Sequence, residues 1–581
     1  MSETKENLSI KKRILPTLLI SVVLPFIVTI SVPLEIFANN IEEFNFVLSD
    51  FIGTSLIFFL GSSAVFFFAL LALPKRAYRI VSAILISLAL MFFIQGTYLN
   101  QGFDSLQGDN MGAAELSLTT KILNTALWVI VVAVAIVLAC LKDKKGVVSL
   151  TGIIASVIVL ATQIMSPLSI ALTNPEVFTA QSGELKTNNS KKEHEILSYK
   201  NITQVSNNKN IFYFCIDRFD ELYAEYAYAQ QPEIFSELTG FTWFQDNISI
   251  YNHTYPAIAH MLTMKNYDAS KSRTEYLENL YTENTTLSVL NENNYSINLY
   301  SDSYYSFTDA SSLPDYVENA VTPVSYEITS PFGLSFGMTF TSLFRGSPTL
   351  LKTVYKDVNS YTCNSFVLEK DADGNESFKT DLDSVYETVL DKNFNGTDKN
   401  NFSFIHTSGC HNVNYSRESN NLQQQSSTII NTVKKNFDIV NKYIKYLKEQ
   451  GLYENSTIII TGDHPHHVDD LPHTINSPRL TALFVKPAGS STEPLTISQA
   501  QVSHDNIWAT IMQSENITTS NDYGTSVFDI PEGVNQTRRY VWHTYSDDFA
   551  ESTYSITGPG ADFANWELTS KTIQYGRRLY D

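Results

Sequence analysis

Five long apolar runs dominate the first third of the chain: Ile14 to Leu34, Phe51 to Leu73, Ile80 to Leu99, Ile122 to Leu141 and Val147 to Leu172, none holding a charged residue. A helix rises about 1.5 Å per residue, so about 20 apolar residues cross the hydrocarbon core of a bilayer. Helices of a soluble core rarely stay uncharged on every face, and five in succession predict an α-helical membrane domain over residues 1–172. Residues 173–208 turn polar around Asn188, Asn189, Ser190, Lys191 and Lys192 and read as a linker.

Beyond the linker the period changes. Asn210 to Asp217 is a continuous apolar run, as is expected of a strand buried on both faces of a parallel sheet. Asn401 to His406, Ser456 to Asp463 and Leu480 to Lys486 repeat the pattern. Between the second and third, Val433, Phe437, Val440, Ile444 and Leu447 recur at helical spacing, and Gly451 stands where a left-handed C-cap is wanted. A helix between two buried strands is a βαβ unit. Residues 209–581 therefore predict an α/β exterior domain, a largely parallel sheet flanked by helices.

Charge adds orientation. Lys5, Lys11, Lys12 and Arg13 precede the first run, Lys75, Arg76 and Arg79 separate the second and third, and Lys142, Lys144 and Lys145 separate the fourth and fifth. The alternate loops carry Glu42, Glu43, Asp104, Asp109 and Glu115. The positive-inside rule then puts the N-terminus in the cytoplasm, and an odd number of spans puts everything after Leu172 outside the cell. The first run is long and lacks a small-residue cleavage site, so it reads as a retained anchor. The net charge of -20 falls almost entirely in the exterior part, which argues against nucleic acid as a partner. The four cysteines, Cys140, Cys215, Cys363 and Cys410, form neither a disulfide framework nor a CxxC metal motif; Cys363 with Cys410 is left open as a pair.

Ligands of open α/β sheets bind outside the carboxyl ends of the strands, and three of these strands end in acid/base or metal-ligand chemistry. The first ends in Asp217, followed by Arg218 and Asp220; the second in His406, then Cys410 and His411; the third in Asp463 and His464, then His466 and His467. Asp217, Asp463 and His464 offer two carboxylates and an imidazole, and Thr254 a hydroxyl as fourth ligand. That set suits one divalent metal ion, with Mn2+ or Mg2+ favoured by the oxygens and Zn2+ also compatible. The stretch Tyr251 to Thr263 reads as the start of a helix, with Thr254 as N-cap and Pro256 in the first turn. A divalent ion beside Thr254 would lower the pKa of its hydroxyl and make it a nucleophile.

The run Thr254-Tyr-Pro-Ala-Ile-Ala-His-Met-Leu-Thr263 resembles the signature of the alkaline phosphatase and sulfatase superfamily: a Cys or Ser, any residue, Pro, Ser, Arg, Ala, any residue, Leu, Leu, Thr. Within it, five spans followed by such a domain resemble the membrane-bound lipoteichoic acid synthase-like branch. Ile211 to Asp217 is similar to the superfamily's first strand with its metal-binding acid, Thr461-Gly-Asp-His464 to its Asp-His metal pair, His411 to Tyr415 to its His-x-Pro-aromatic segment, and Val502 to Thr510 to the segment leading into its last helix. Val413 replaces the Pro of the His segment, Ile258 the Arg of the signature, and no Trp-Asn-Arg segment is found; the comparable region is Asn298 to Tyr305.

The resemblance implies a phosphotransferase and not a conventional sulfatase, whose formylglycine derives from Cys or Ser. Thr254 would carry a phospho-head group, taken to be glycerol phosphate from phosphatidylglycerol, to a cell-envelope glycopolymer or glycolipid. The ion, Mn2+ first among the candidates, would sit on Asp217, Thr254, Asp463 and His464. His411 is the further catalytic candidate, and His411, His406, Arg218 and Arg345 the candidates for binding phosphate. The alternatives are a phosphoethanolamine transferase, against which the few cysteines count, a phosphodiesterase or other hydrolase of the superfamily, and a scaffold that binds envelope polymer without catalysis.

Overall fold

The computed structural model describes the chain from Arg13 to Tyr575 apart from residues 42–43, 101–117, 142–146, 174, 180, 184–194, 282–285, 303–306, 308–309, 356–362, 412, 414–421, 467–477 and 545–548. Several expectations fall outside the described residues: Lys5, Lys11 and Lys12, the acidic loop residues from Glu42 to Glu115, Lys142 to Lys145, the centre of the linker, Tyr304 and Tyr305, Asn412, Asn414, Tyr415 and His467. The chain divides into two compact units, residues 1–189 with 324–370, and residues 190–323 with 371–581.

The first unit holds five helices long and apolar enough to cross a membrane: Ile14–Asn39, Leu48–Ala72, Lys75–Leu99, Leu118–Cys140 and Leu150–Thr173. Pro25 and Pro33 lie within the first, which carries a wide turn over Ile27–Ser31; such local loosening re-satisfies the backbone groups that a proline frees. Phe37, Phe44, Phe46 and Phe51 pack ring against ring where the first two spans meet. The outward faces, such as Leu56, Ile57 and Leu60, stay exposed and apolar.

Residues 324–370 belong to this unit, although the sequence pattern runs them into one exterior domain over 209–581. Strands Ser325–Ile328 and Val367–Lys370 form a hairpin, and between them lie a helix, Pro331–Gly346, and a tight helical turn, Thr349–Tyr355. Leu334, Met338 and Cys363 are buried in the same apolar cluster as Phe37, Phe51 and Phe92 of the spans. Glycines at 333, 337 and 346 and hydroxyl residues between them break the apolar run, so its period does not set it apart from the exterior domain. The stretch read as a linker likewise contains two short strands, Ile196–Leu197 and Gln204–Ser206.

The second unit is built on seven strands: β1 Asn210–Ile216, β2 Thr242–Phe244, β3 Tyr295–Tyr300, β4 Asn400–Thr407, β5 Ser456–Thr461, β6 Leu483–Lys486 and β7 Thr496–Ser498, in the order β7-β2-β6-β5-β1-β4-β3. β5, β1, β4 and β3 are parallel neighbours, and β6 runs antiparallel to both β5 and β2. Every residue of β1 is buried, which is why it reads as an unbroken apolar run.

Two apolar clusters cover the two faces of the sheet. Helices α1 Glu221–Gln230 and α3 Leu422–Glu449 contribute to one, α3 through Val433, Phe437, Val440, Ile444 and Leu447, all buried, and Gly451 follows it at φ +70°. Helices α2 Thr254–Thr263 and α4 Ile507–Glu515 contribute to the other. A three-stranded antiparallel sheet, β8 Thr537–His543, β9 Phe549–Thr557 and β10 Trp566–Gln574, closes the unit. Its buried Arg538 pairs with Asp246 at 2.8 Å and also donates to three backbone carbonyls. All four cysteines are free thiols, so Cys363 and Cys410 do not pair.

Candidate metal-dependent active site

Strand register brings the chemistry together. In the parallel ladder Cys215 of β1 lies opposite His406 of β4 and Thr461 of β5, so Asp217, His406 and Asp463 emerge at one edge. One ligand atom from each of these three buried residues lies within 4.8 Å of the others, a group able to hold a metal ion. His464 adds its Nε2 at 3.7 Å from Asp217 Oδ1 and 3.4 Å from Asp463 Oδ2. Thr254 Oγ1 stands 3.2 Å from the same nitrogen.

The backbone around the strand ends is shaped for this convergence. Gly409 has φ +41°, and a Cβ there would meet Asp217 N at 2.7 Å; a Cβ on Gly462 would meet the backbone of Phe219 at 2.8 and 2.9 Å. Arg218, directly after Asp217, takes a left-handed conformation at φ 56°, unusual for a residue with a Cβ and a mark of functional sites. The turn aims its amide at Asp463 Oδ1, 3.0 Å away, while its guanidinium donates to the carbonyl of His411.

Charge at the site is unbalanced in a way that favours a cation. Burial, and then Asp463, hold the Asp217 carboxyl well above the usual range, with Arg218 pulling the other way. Burial also pushes Asp463 up, but His464, His406, the Arg218 amide and the Thr254 hydroxyl outweigh it and leave it low. Burial lowers His464 and brings His406 down to about 4, so both imidazoles are neutral at pH 7 and have lone pairs to give. His464 Nδ1 faces the Pro465 carbonyl at 2.8 Å; a carbonyl only accepts, so Nδ1 carries the proton and Nε2 the lone pair. Among the described residues no hydrogen-bond partner reaches Asp217 Oδ1 or Asp463 Oδ2, both buried. Orphaned carboxylate oxygens beside neutral imidazoles fit a divalent ion of the Mn2+, Mg2+ or Zn2+ type.

Thr254 opens α2, and His253, with no side-chain cap bond, is the N-cap; the sequence pattern had suggested Thr254 itself. The hydroxyl is thereby free to face the acids, and Pro256 occupies the first turn with no N–H to leave orphaned. Asn252 locks this entry, accepting from the His543 amide and donating to its carbonyl, and His543 contacts Glu551 at 2.9 Å.

The structure thus joins Asp217, Thr254, Asp463 and His464. It also sets His406, read from the sequence as a phosphate ligand, among the metal-binding group; its opposition to Cys215 is a matter of register that no local pattern encodes. His411 lies in an exposed turn after β4, near enough for its charge to act on His406 and His466. The Arg218 charge acts on His253, His464 and His466. Arg345 is not brought to this cluster: it belongs to the first unit and there pairs with Glu35 at 2.7 Å.

A largely parallel sheet with acids and imidazoles at the carboxyl ends of its central strands fits a sulfatase-like domain. The Sulfatase family model matches residues 209–517, and the chain belongs to that family. Among solved structures, similarity extends to a protein of the alkaline phosphatase superfamily from Vibrio parahaemolyticus, at 11% identity over 67% of this chain and 87% of that one, with a TM-score of 0.34. The lipoteichoic acid synthase LtaP from Listeria monocytogenes is similar at 12% identity over 63% and 85%, with a TM-score of 0.32. The phosphonate monoester hydrolase SpPMH from Silicibacter pomeroyi is similar at 13% over 64% and 90%, with a TM-score of 0.35. None of the curated proteins compared with the chain matches it.

Proposed function

We propose that this protein is a metal-dependent phosphotransferase at the outer face of the cytoplasmic membrane, moving glycerol phosphate from phosphatidylglycerol to a hydroxyl of a cell-envelope glycopolymer or glycolipid. The observation that carries the reading is the placement of the Thr254 hydroxyl: first residue of a helix, 3.2 Å from the lone pair of His464 and beside the buried acids. Backbone N–H groups and the helix dipole at that end favour an incoming phosphate. A divalent ion on Asp217, His406, Asp463 and His464 supplies a lowered pKa for the Thr254 hydroxyl and offsets the charge on the phosphoryl group; Mn2+ is the ion we expect.

Thr254 Oγ attacks phosphorus, the bond to the diacylglycerol oxygen breaks, and that oxygen leaves with the proton the threonine has lost. In this reading His411 carries this proton and Arg218 holds the phosphate oxygens. The acceptor hydroxyl then attacks the same phosphorus, the P–Oγ bond breaks, and Thr254 regains its proton. With the full chain, Mn2+ and labelled phosphatidylglycerol, Thr254→Ala is expected to lose donor turnover by at least about a thousandfold while keeping its metal-induced thermal shift. Turnover at the wild-type rate sinks the assignment. The mass added to Thr254 in a trapped intermediate names the transferred group, separating glycerol phosphate from phosphoethanolamine.

A further inference from the structure

The inserted segment of the first unit has the features of a membrane element, although it lies far from the five spans in sequence. Its helix Pro331–Gly346 packs deep among them. The Phe332 ring meets Phe58 edge to face with centroids 4.8 Å apart, and Phe58 lies about 15 Å along the second span from its start at Leu48. Ser335 Oγ donates to the Phe51 carbonyl at 2.8 Å. At its other end Gly346 abuts the Phe92 ring so closely that a Cβ would overlap it, and Arg345 reaches Glu35 and the Gly96 carbonyl. The preceding strand is held at the start of the second span, where Tyr326 donates to Asp50 at 2.6 Å.

The backbone is finished as a low-dielectric medium requires. A helix end leaves carbonyls without partners, and in hydrocarbon no water can serve them. Here Ser347 Oγ donates to the Leu343 carbonyl, Lys352 Nζ to those of Phe344 and Arg345, and Asn100 Nδ2 to that of Arg345. At the start, Pro331 has no N–H, and Gly333 N–H goes to Ser330 Oγ. Arg345 is the helix's single charge and is spent on Glu35. The outward face is nonetheless apolar: Phe332 is 62% exposed, Phe336 57%, Leu350 47% and Leu351 51%, like Ile57 at 67% on the second span of the same unit.

We propose that residues 331–352 form a re-entrant membrane segment, which enters from the end of the bundle where the first two spans are joined, with Phe332, Phe336, Leu350 and Leu351 against lipid acyl chains. The occupant follows from continuity: this face adjoins the exposed face of the second span through the Phe58–Phe332 contact, and what covers one covers the other. The chain leaves the second unit at 323–324 and returns to it at 370–371, so the segment is an insertion in that unit's sequence. This holds whatever group the site transfers.

The test is spin-label accessibility in the full chain, reconstituted in phosphatidylcholine/phosphatidylglycerol nanodiscs on a Cys140→Ser background, the other cysteines being buried. Labels are placed by Phe336→Cys, by Ile57→Cys as a lipid-facing control and by Ile497→Cys as an aqueous one. At Phe336 oxygen is expected to relax the label more than a nickel chelate does, the ratio matching Ile57 within about a factor of two, because the hydrocarbon admits oxygen and excludes the chelate. Nickel accessibility equal to that at Ile497 overturns the proposal. So does protection from both reagents, which means that another protein surface covers the face.

Discussion

Asp217→Asn has opposite effects with and without metal. Two ionised carboxylates within the 4.8 Å of this cluster repel by about 3–4 kcal/mol at an effective dielectric near 20, and the metal-free chain relieves this by retaining a proton on Asp217, whose carboxyl is held well above its ordinary 3.8 by burial and Asp463. An acid whose folded pKa is raised contributes stability that is complete below the unfolded value and lost as pH rises through the folded one. Asn is the uncharged isostere and has no such dependence. In chelator near pH 4, wild type and Asp217→Asn therefore unfold together. By pH 8 the variant is expected to be more stable by about 1–3 kcal/mol, several degrees in melting temperature for a unit of this size. Addition of Mn2+ at about a thousand times its Kd stabilises the wild type by about 4.1 kcal/mol and the variant not at all, so their order reverses. Thermal unfolding of the detergent-solubilised chain, followed by tryptophan fluorescence, reads this directly, since Trp243, Trp508, Trp542 and Trp566 all lie in the second unit. A variant that melts below wild type in chelator at pH 8, or that keeps the metal-induced shift, refutes the reasoning.

Two further substitutions separate structure from chemistry. His406→Gln removes an imidazole from the metal-binding group and is expected to weaken Mn2+ binding at least about tenfold by titration calorimetry; unchanged affinity would return His406 to a purely phosphate-binding role. Arg538→Met strands the buried Asp246 carboxylate and is expected to cost about 3–5 kcal/mol in chemical denaturation, with Asp246→Asn in the same chain recovering much of it; a loss within error of zero would show that the pair is solvated.

Local period alone specified much of this protein. Five uncharged runs long enough to cross the hydrocarbon core of a bilayer have few other uses, and the apolar runs before Asp217, His406 and Asp463 read as strands because a parallel sheet buries both of their faces. The amphipathic spacing from Val433 to Leu447 required a helix between two of them, and parallel order then placed all three strand ends on one edge. Which side chains meet there was decided by pairing across long stretches of chain. Cys215 opposite His406 made the latter part of the metal-binding group, and the left-handed turn at Arg218 aimed an amide at Asp463; neither has a periodic signature. The same holds for residues 324–370. Their glycines and hydroxyls interrupt the apolar pattern, and only packing against Phe58 and Phe92 and pairing with Glu35 show where Pro331–Gly346 and Arg345 belong. A period reports the environment averaged over one element's faces, whereas the partner on each face is supplied by distant sequence, so elements were legible locally and contacts only in the folded chain.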